Sequence, residues 1–98
     1  MGPGAFNPVR HYTVSADVTK VNTAIPEGFN NIRIVNASAG VLFWRADRVA
    51  TDATASDCAM LAGSVEVFQI PPDAVNVSII LIAGTAAHSV YFDLGYGI

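Results

Sequence analysis

The stretch VLFWRADRVATDATASDCAM, residues 41–60, holds the densest charge group and the single cysteine of the 98-residue chain. A cysteine nucleophile needs a histidine beside it to take its proton. The two histidines, His11 and His88, stand far from Cys58 in sequence, and no local signature ties either to it. With alanine and methionine around it, Cys58 reads as a small buried hydrophobe. One cysteine and two scattered histidines also lack the spacing of metal ligands. Strands could bring Asp17, Glu66 or Asp93 together as the carboxylate pair of a glycosidase. So small a sandwich leaves little room for the cleft that reaction needs. The expectation is a protein that is not an enzyme and carries no metal and no cofactor.

Arg45, Asp47 and Arg48 have two readings. One is a solvated loop entry with an ion pair worth about 0–1 kcal/mol. The other is a directional contact to a partner, where arginine is enriched. Trp44 can serve as core, sugar platform or interface anchor, and Tyr91 and Tyr96 share that ambiguity. The segments Asn36-Ala37-Ser38 and Asn76-Val77-Ser78 match the glycosylation pattern and are read as chance.

The elements that position these residues are strands. In residues 11–19 Tyr12, Val14, Ala16 and Val18 alternate with the polar Thr13, Ser15, Asp17 and Thr19, a period of two. Residues 29–35 and 41–46 read as two strands joined by the small polar segment 36–40, a hairpin pattern. Thr54 and Asp57 have capping-box spacing, and the run 58–62 after them supports at most one helical turn. Residues 65–70 alternate again until Pro71-Pro72 stops the strand. Residues 75–83 and 87–94 flank Gly84-Thr85 as a second hairpin. Within the first of these, Ile79 to Ile82 are apolar on both faces, so its outer face needs a cover. A second subunit would supply one, and a flanking loop is the intrachain alternative. No segment has helical periodicity over ten residues. The first residues, MGPGAFNPV, show no period and read as an arm in which Phe6 and Pro8 can lie against a neighbour or the domain's own edge. The fold class expected is all-β: a small antiparallel β-sandwich, jelly-roll-like, over residues 11–98, with an extended N-terminal arm over residues 1–10.

Composition narrows the function classes. Hydrophobic residues make up 52% of the chain and charged residues 13%, against a typical charged share of about 25%. A small domain is mostly surface. One with so little charge to place there is expected to hide part of that surface against another chain. The net charge is −3 with five Lys plus Arg, which speaks against nucleic acid and against an anionic membrane as partners. The start of the chain lacks the apolar core of a secretory signal. The apolar run 79–83 is too short to span a bilayer. The expectation is a soluble protein made in a cytoplasm.

One resemblance runs through the last two-thirds of the chain. It rests on Ile32-Arg33-Ile34-Val35-Asn36, on the strand from Gly40 to Arg45, and on Ala62-Gly63-Ser64-Val65-Glu66-Val67-Phe68-Gln69-Ile70-Pro71. A Gly95-Tyr96-Gly97 terminus completes it. These segments resemble a group of small structural proteins of tailed bacteriophages, the capsid decoration or cement proteins. The resemblance implies a β-sandwich that forms homo-oligomers, often trimers, and binds the outside of the head in the virion, with the major capsid protein as partner. It implies contacts between capsid subunits stabilised by the bound copies. Phe6, Pro8, Trp44, Arg45, Asp47, Arg48, Tyr91 and Tyr96 are the candidate interface residues. A carbohydrate-binding module, with Trp44, Tyr91 and Tyr96 as one stacking platform, or a tail or neck component, is the alternative.

Overall fold

The computed structural model describes residues 6–97. Eight strands make up its regular structure: β1 (Asn7–Ala16), β2 (Val21–Ala24), β3 (Asn31–Val35), β4 (Leu42–Asp47), β5 (Cys58–Met60), β6 (Val65–Gln69), β7 (Asn76–Leu81) and β8 (His88–Tyr96). They form two four-stranded sheets, ordered β1-β8-β3-β6 and β2-β7-β4-β5. Every pairing is antiparallel. The pairs β1–β8, β2–β7, β3–β6 and β4–β5 nest like one long hairpin. Contacts of β3 with β8 and of β4 with β7 roll that ribbon into two layers. This is the strand order of a jelly roll, so the expected β-sandwich and its jelly-roll character are both present.

Period two explains the layers, because alternate side chains leave opposite faces of a strand. Val14 and Ala16 of β1, Ile32 and Ile34 of β3, and Val90, Phe92 and Leu94 of β8 point inward from the first sheet. Leu42 and Trp44 of β4 and Val77, Ile79 and Leu81 of β7 meet them from the second. Met60 of β5 closes the edge of this core at 1% exposure.

The expected hairpins are absent. Residues 29–35 and 41–46 became β3 and β4, which lie in opposite sheets, and so do β7 and β8. Glycine and small polar residues let the chain reverse, but they do not choose the partner. Gly84 does take a left-handed φ of 90°, and Thr85 N donates to Ile82 O at 3.1 Å. The turn serves an arch between layers, since each strand's apolar face has to look across the core. Among the described strands, β4 and β5 are the consecutive pair joined by a ladder.

Other differences have local causes. The run expected as at most a helical turn contains β5, whose Cys58, Ala59 and Met60 pair with Trp44, Phe43 and Leu42. Thr54 N donates to Asp57 Oδ2 at 2.8 Å, and Asp57 N donates to Thr54 O at 3.0 Å. The cap-like bonds thus form a turn, with no periodic apolar segment behind it to make a helix. At the other end β1 starts at Asn7, so residues 7–10 of the expected arm run in register with β8 apart from an irregularity between Pro8 and Arg10. Residues 1–5 lie outside the described part.

The outer face of β7 carries Asn76, Ser78 and Ile80, and the flanking loop supplies its cover. Residues 48–57 fold across the second sheet. Ala53, itself buried, donates its amide to Ser78 Oγ at 2.8 Å. Asp52 ties the same loop to β2 through Asn22 Nδ2 at 2.8 Å and to Lys20 Nζ at 3.5 Å. The outer face of the first sheet has no comparable loop among the described residues.

Candidate functional site

Five of the residues singled out from sequence, Trp44, Arg45, Asp47, Asp57 and Cys58, meet at one cleft. It opens between β5 and β6 on the unpaired side of the sandwich, encloses about 300 Å³, and is lined by Trp44, Arg45, Asp47, Asp57, Cys58 and the segment Gln69 to Pro71. Register explains the gathering: Cys58 sits opposite Trp44 on the β4–β5 ladder, and Gln69 ends β6 across the gap.

Trp44 is core. It is 6% exposed, and its ring packs on Phe68 with centroids 4.9 Å apart and planes at 49°. Its indole Nε1 is buried without a hydrogen-bond partner. Arg45 forks onto Asp47, Nε to Oδ2 at 2.6 Å and Nη2 to Oδ1 at 3.0 Å. Its Nη1 lies 3.6 Å from Asp57 Oδ1. The hydrogen bond to Asp47 is the main reason the guanidinium pKa is raised above its ordinary value. Arg45 is therefore satisfied within its own chain. Arg48 points elsewhere, to Asp73 at 3.5 Å, and both side chains are more than half exposed. Such a pair contributes about 0–1 kcal/mol. Cys58 is exposed on the edge strand, not buried as its neighbours implied, because a three-residue edge strand leaves its outer side uncovered.

The remaining candidates lie apart from this cleft. Phe6 stacks over the Arg33 guanidinium, 5.7 Å from carbon to ring centroid. Tyr91 stacks on His11 at 5.9 Å and 17°. Pro8 faces Gly95 on the β1–β8 ladder, and Tyr96 leans on Phe29 at 5.3 Å. Trp44 thus faces the core from the second sheet, whereas Tyr91 lies on the outer face of the first. These rings make no common platform for a sugar.

A cluster that sequence reasoning missed sits on the outer face of the first sheet. Asp93 of β8 accepts from Arg33 of β3, Nε at 3.1 Å and Nη2 at 2.6 Å. His11 Nδ1 of β1 lies 2.6 Å from its other oxygen. The Asp93 side chain is only 6% exposed, although it points away from the core. The alternation that turns Asp93 and Arg33 outward is visible in sequence. The strand order that makes β1, β8 and β3 neighbours is not. Chemically the group is a neutralised carboxylate holding a histidine in one orientation. Among the described residues no hydroxyl or thiol bonds that histidine, so the arrangement orients without presenting a nucleophile.

Asn36, read from sequence only as part of a chance glycosylation pattern and of the resemblance, has a structural role. It is fully buried, and its Nδ2 donates to Gly40 O, Met60 O and Leu61 O at 2.9–3.1 Å. It clamps the β3–β4 arch to the β5–β6 turn. Asn76 is buried as well. Neither asparagine is placed to receive a glycan, in keeping with the reading of both patterns as chance.

No family model matches this chain, and no curated protein matches it. Among solved structures it is similar to one described as "Bacillus endospore appendages form a novel family of disulfide-linked pili". The two share 15% sequence identity over 100% of this chain and 95% of that one, with a TM-score of 0.57. At that identity the likeness is one of fold.

Proposed function

We propose that this chain is a structural subunit of a virion, a decoration protein. It binds the outside of a tailed-phage head in many copies and stabilises contacts between capsid subunits. The observation that carries the reading is where charge and apolar surface lie. Four of the five cations are engaged inside the chain: Arg33 with Asp93, Arg45 with Asp47, Lys20 with Asp52 and Arg48 with Asp73. Meanwhile Leu61 is 72% and Val65 57% exposed on either side of the β5–β6 turn, and Val49 stands out on the covering loop. Of the seven large apolar side chains exposed among the described residues, Leu61 and Val65 stand at one turn, and such a neighbouring pair offers a contact surface. Weak contacts of this kind become firm when many identical sites are offered together.

The resemblance in residues 32–97 supplies the head as the partner. The solved structure of similar fold belongs to disulfide-linked pili, a further case of this architecture put to structural use. Disulfide linkage is not carried over to this chain, since the one thiol, Cys58, joins two chains at most. The test is cosedimentation of purified chain with tailed-phage heads that lack it. Saturable binding is expected, and replacing Leu61 and Val65 together with serine is expected to weaken it at least tenfold. Equal binding by that variant would remove the proposed surface.

A further inference from the structure

The four edge strands are not equivalent. β5 has three residues and β2 has four. β1 is interrupted between Pro8 and Arg10, and Pro8 has no amide to donate. Short length, proline and bulges are the devices that keep an edge from pairing. β6 has none of these three; the one edge device it carries is a charge, Glu66, on the face it shares with Ile34. Its five residues, Val-Glu-Val-Phe-Gln, run in unbroken register along β3. Its other side is free among the described residues.

The direction of its backbone can be read from the ladder. Asn36 N donates to Ser64 O at 2.9 Å, and Ile70 N donates to Asn30 O at 3.0 Å. Backbone groups alternate sides along an antiparallel strand. Glu66 and Phe68, of the same parity as Ser64 and Ile70, therefore bond to β3. Val65, Val67 and Gln69 aim their N–H and C=O groups at the open side.

We infer that β6 pairs with β6 of a second copy of this chain, antiparallel about a two-fold axis at Val67. The two first sheets then continue as one. The chemistry of the strand favours itself as partner. In this register Val67 meets Val67 of the second copy, Val65 meets Gln69, and Glu66 meets Phe68. The one charge of the strand thus never faces its like, which would oppose pairing. Leu61 and Val65, both well exposed, flank the seam. An isologous contact closes after two copies. This inference deepens the assembly reading and gives it a dimer where the resemblance implies a trimer. A chain that stays single yet binds heads would sink only the strand pairing.

The experiment combines mass with register. Sedimentation of the wild-type chain at micromolar concentration is expected to give twice the chain mass. Val67→Pro removes an amide that points outward, so it costs no ladder bond. It is expected to halve the mass and leave the circular dichroism unchanged. In a Cys58→Ser background, Val67→Cys is expected to oxidise to a covalent dimer, since opposed Cα atoms about 5.5 Å apart allow a disulfide. Val65→Cys alone is not expected to do so, whereas Val65→Cys mixed with Gln69→Cys is. If Val67→Pro fails to fold, the crosslinking pattern decides. A monomer, a trimer, a Val67→Pro dimer or equal crosslinking at 65 and 67 would overturn the pairing.

Discussion

Asp93 shows how a single side chain acquires its weight from neighbours that sequence keeps apart. It lies between Phe92 and Leu94, both buried in the core, and alternation sends it to the other face. There Arg33 and His11 converge on it and bury it. Asp93→Asn would leave Arg33 without its counter-charge. Because Arg33 is 40% exposed, water screens part of the loss, and the expected cost is about 1–3 kcal/mol in denaturant unfolding. A loss below about 0.5 kcal/mol would mean the cluster only decorates the sheet. Asp52 contributes one pH-dependent effect. The Asn22 amide donating to it holds its carboxyl below the ordinary 3.8. A depressed folded-state pKa adds stability above the unfolded value and loses it as pH falls through the folded one. Asn22→Ala is therefore expected to be less stable than wild type at neutral pH, with the gap closing in acid. Parallel stability curves down to strong acid would refute this.

Among the elements, what could be read in advance follows from pattern length. β1, β3, β6 and β8 each show alternation, and the sequence expectation placed a strand at every one of them. β2 and β5 have four and three residues, too few to establish a period. Pairing was illegible for a different reason. The turns at 36–40 and 82–87 contain the residues of hairpin loops, yet they arch between layers, because the destination of a strand is set by which apolar face must be covered. The need of β7 for a cover on its outer face was readable, and so were both possible covers, although that face is mixed, with Asn76 and Ser78 beside Ile80. The choice of the loop 48–57 rests on the Ala53–Ser78 bond, a contact across 25 residues. Ser78→Ala would strand the buried Ala53 amide at a cost of about 1–3 kcal/mol. Faster hydrogen exchange at Ala53, with β3 and β8 amides unchanged, is the expected signature. Unaltered exchange there would show that the loop is held some other way. At the far end of β8, a Cβ on Gly95 would fall on the Asn7 carbonyl. Gly95→Ala is expected to unzip the Asn7–Tyr96 end of the ladder, and loss of amide protection at Asn7 would report it.

For the whole molecule, the composition has a physical consequence. A domain with few ions, most of them paired internally, leaves several large apolar side chains exposed, Leu61 and Val65 among them at the β5–β6 turn. Water favours covering them. The candidate cleft opens between the same two strands, with Arg45 locked between Asp47 and Asp57 and Trp44 turned into the core. Trp44 and Arg45 are therefore engaged in holding the fold. The account stands most directly on cosedimentation with tailed-phage heads lacking this protein. It predicts saturable binding, at a fixed number of copies per head, that weakens when Leu61 and Val65 become serine. Heads that pellet without the chain at any concentration would contradict it.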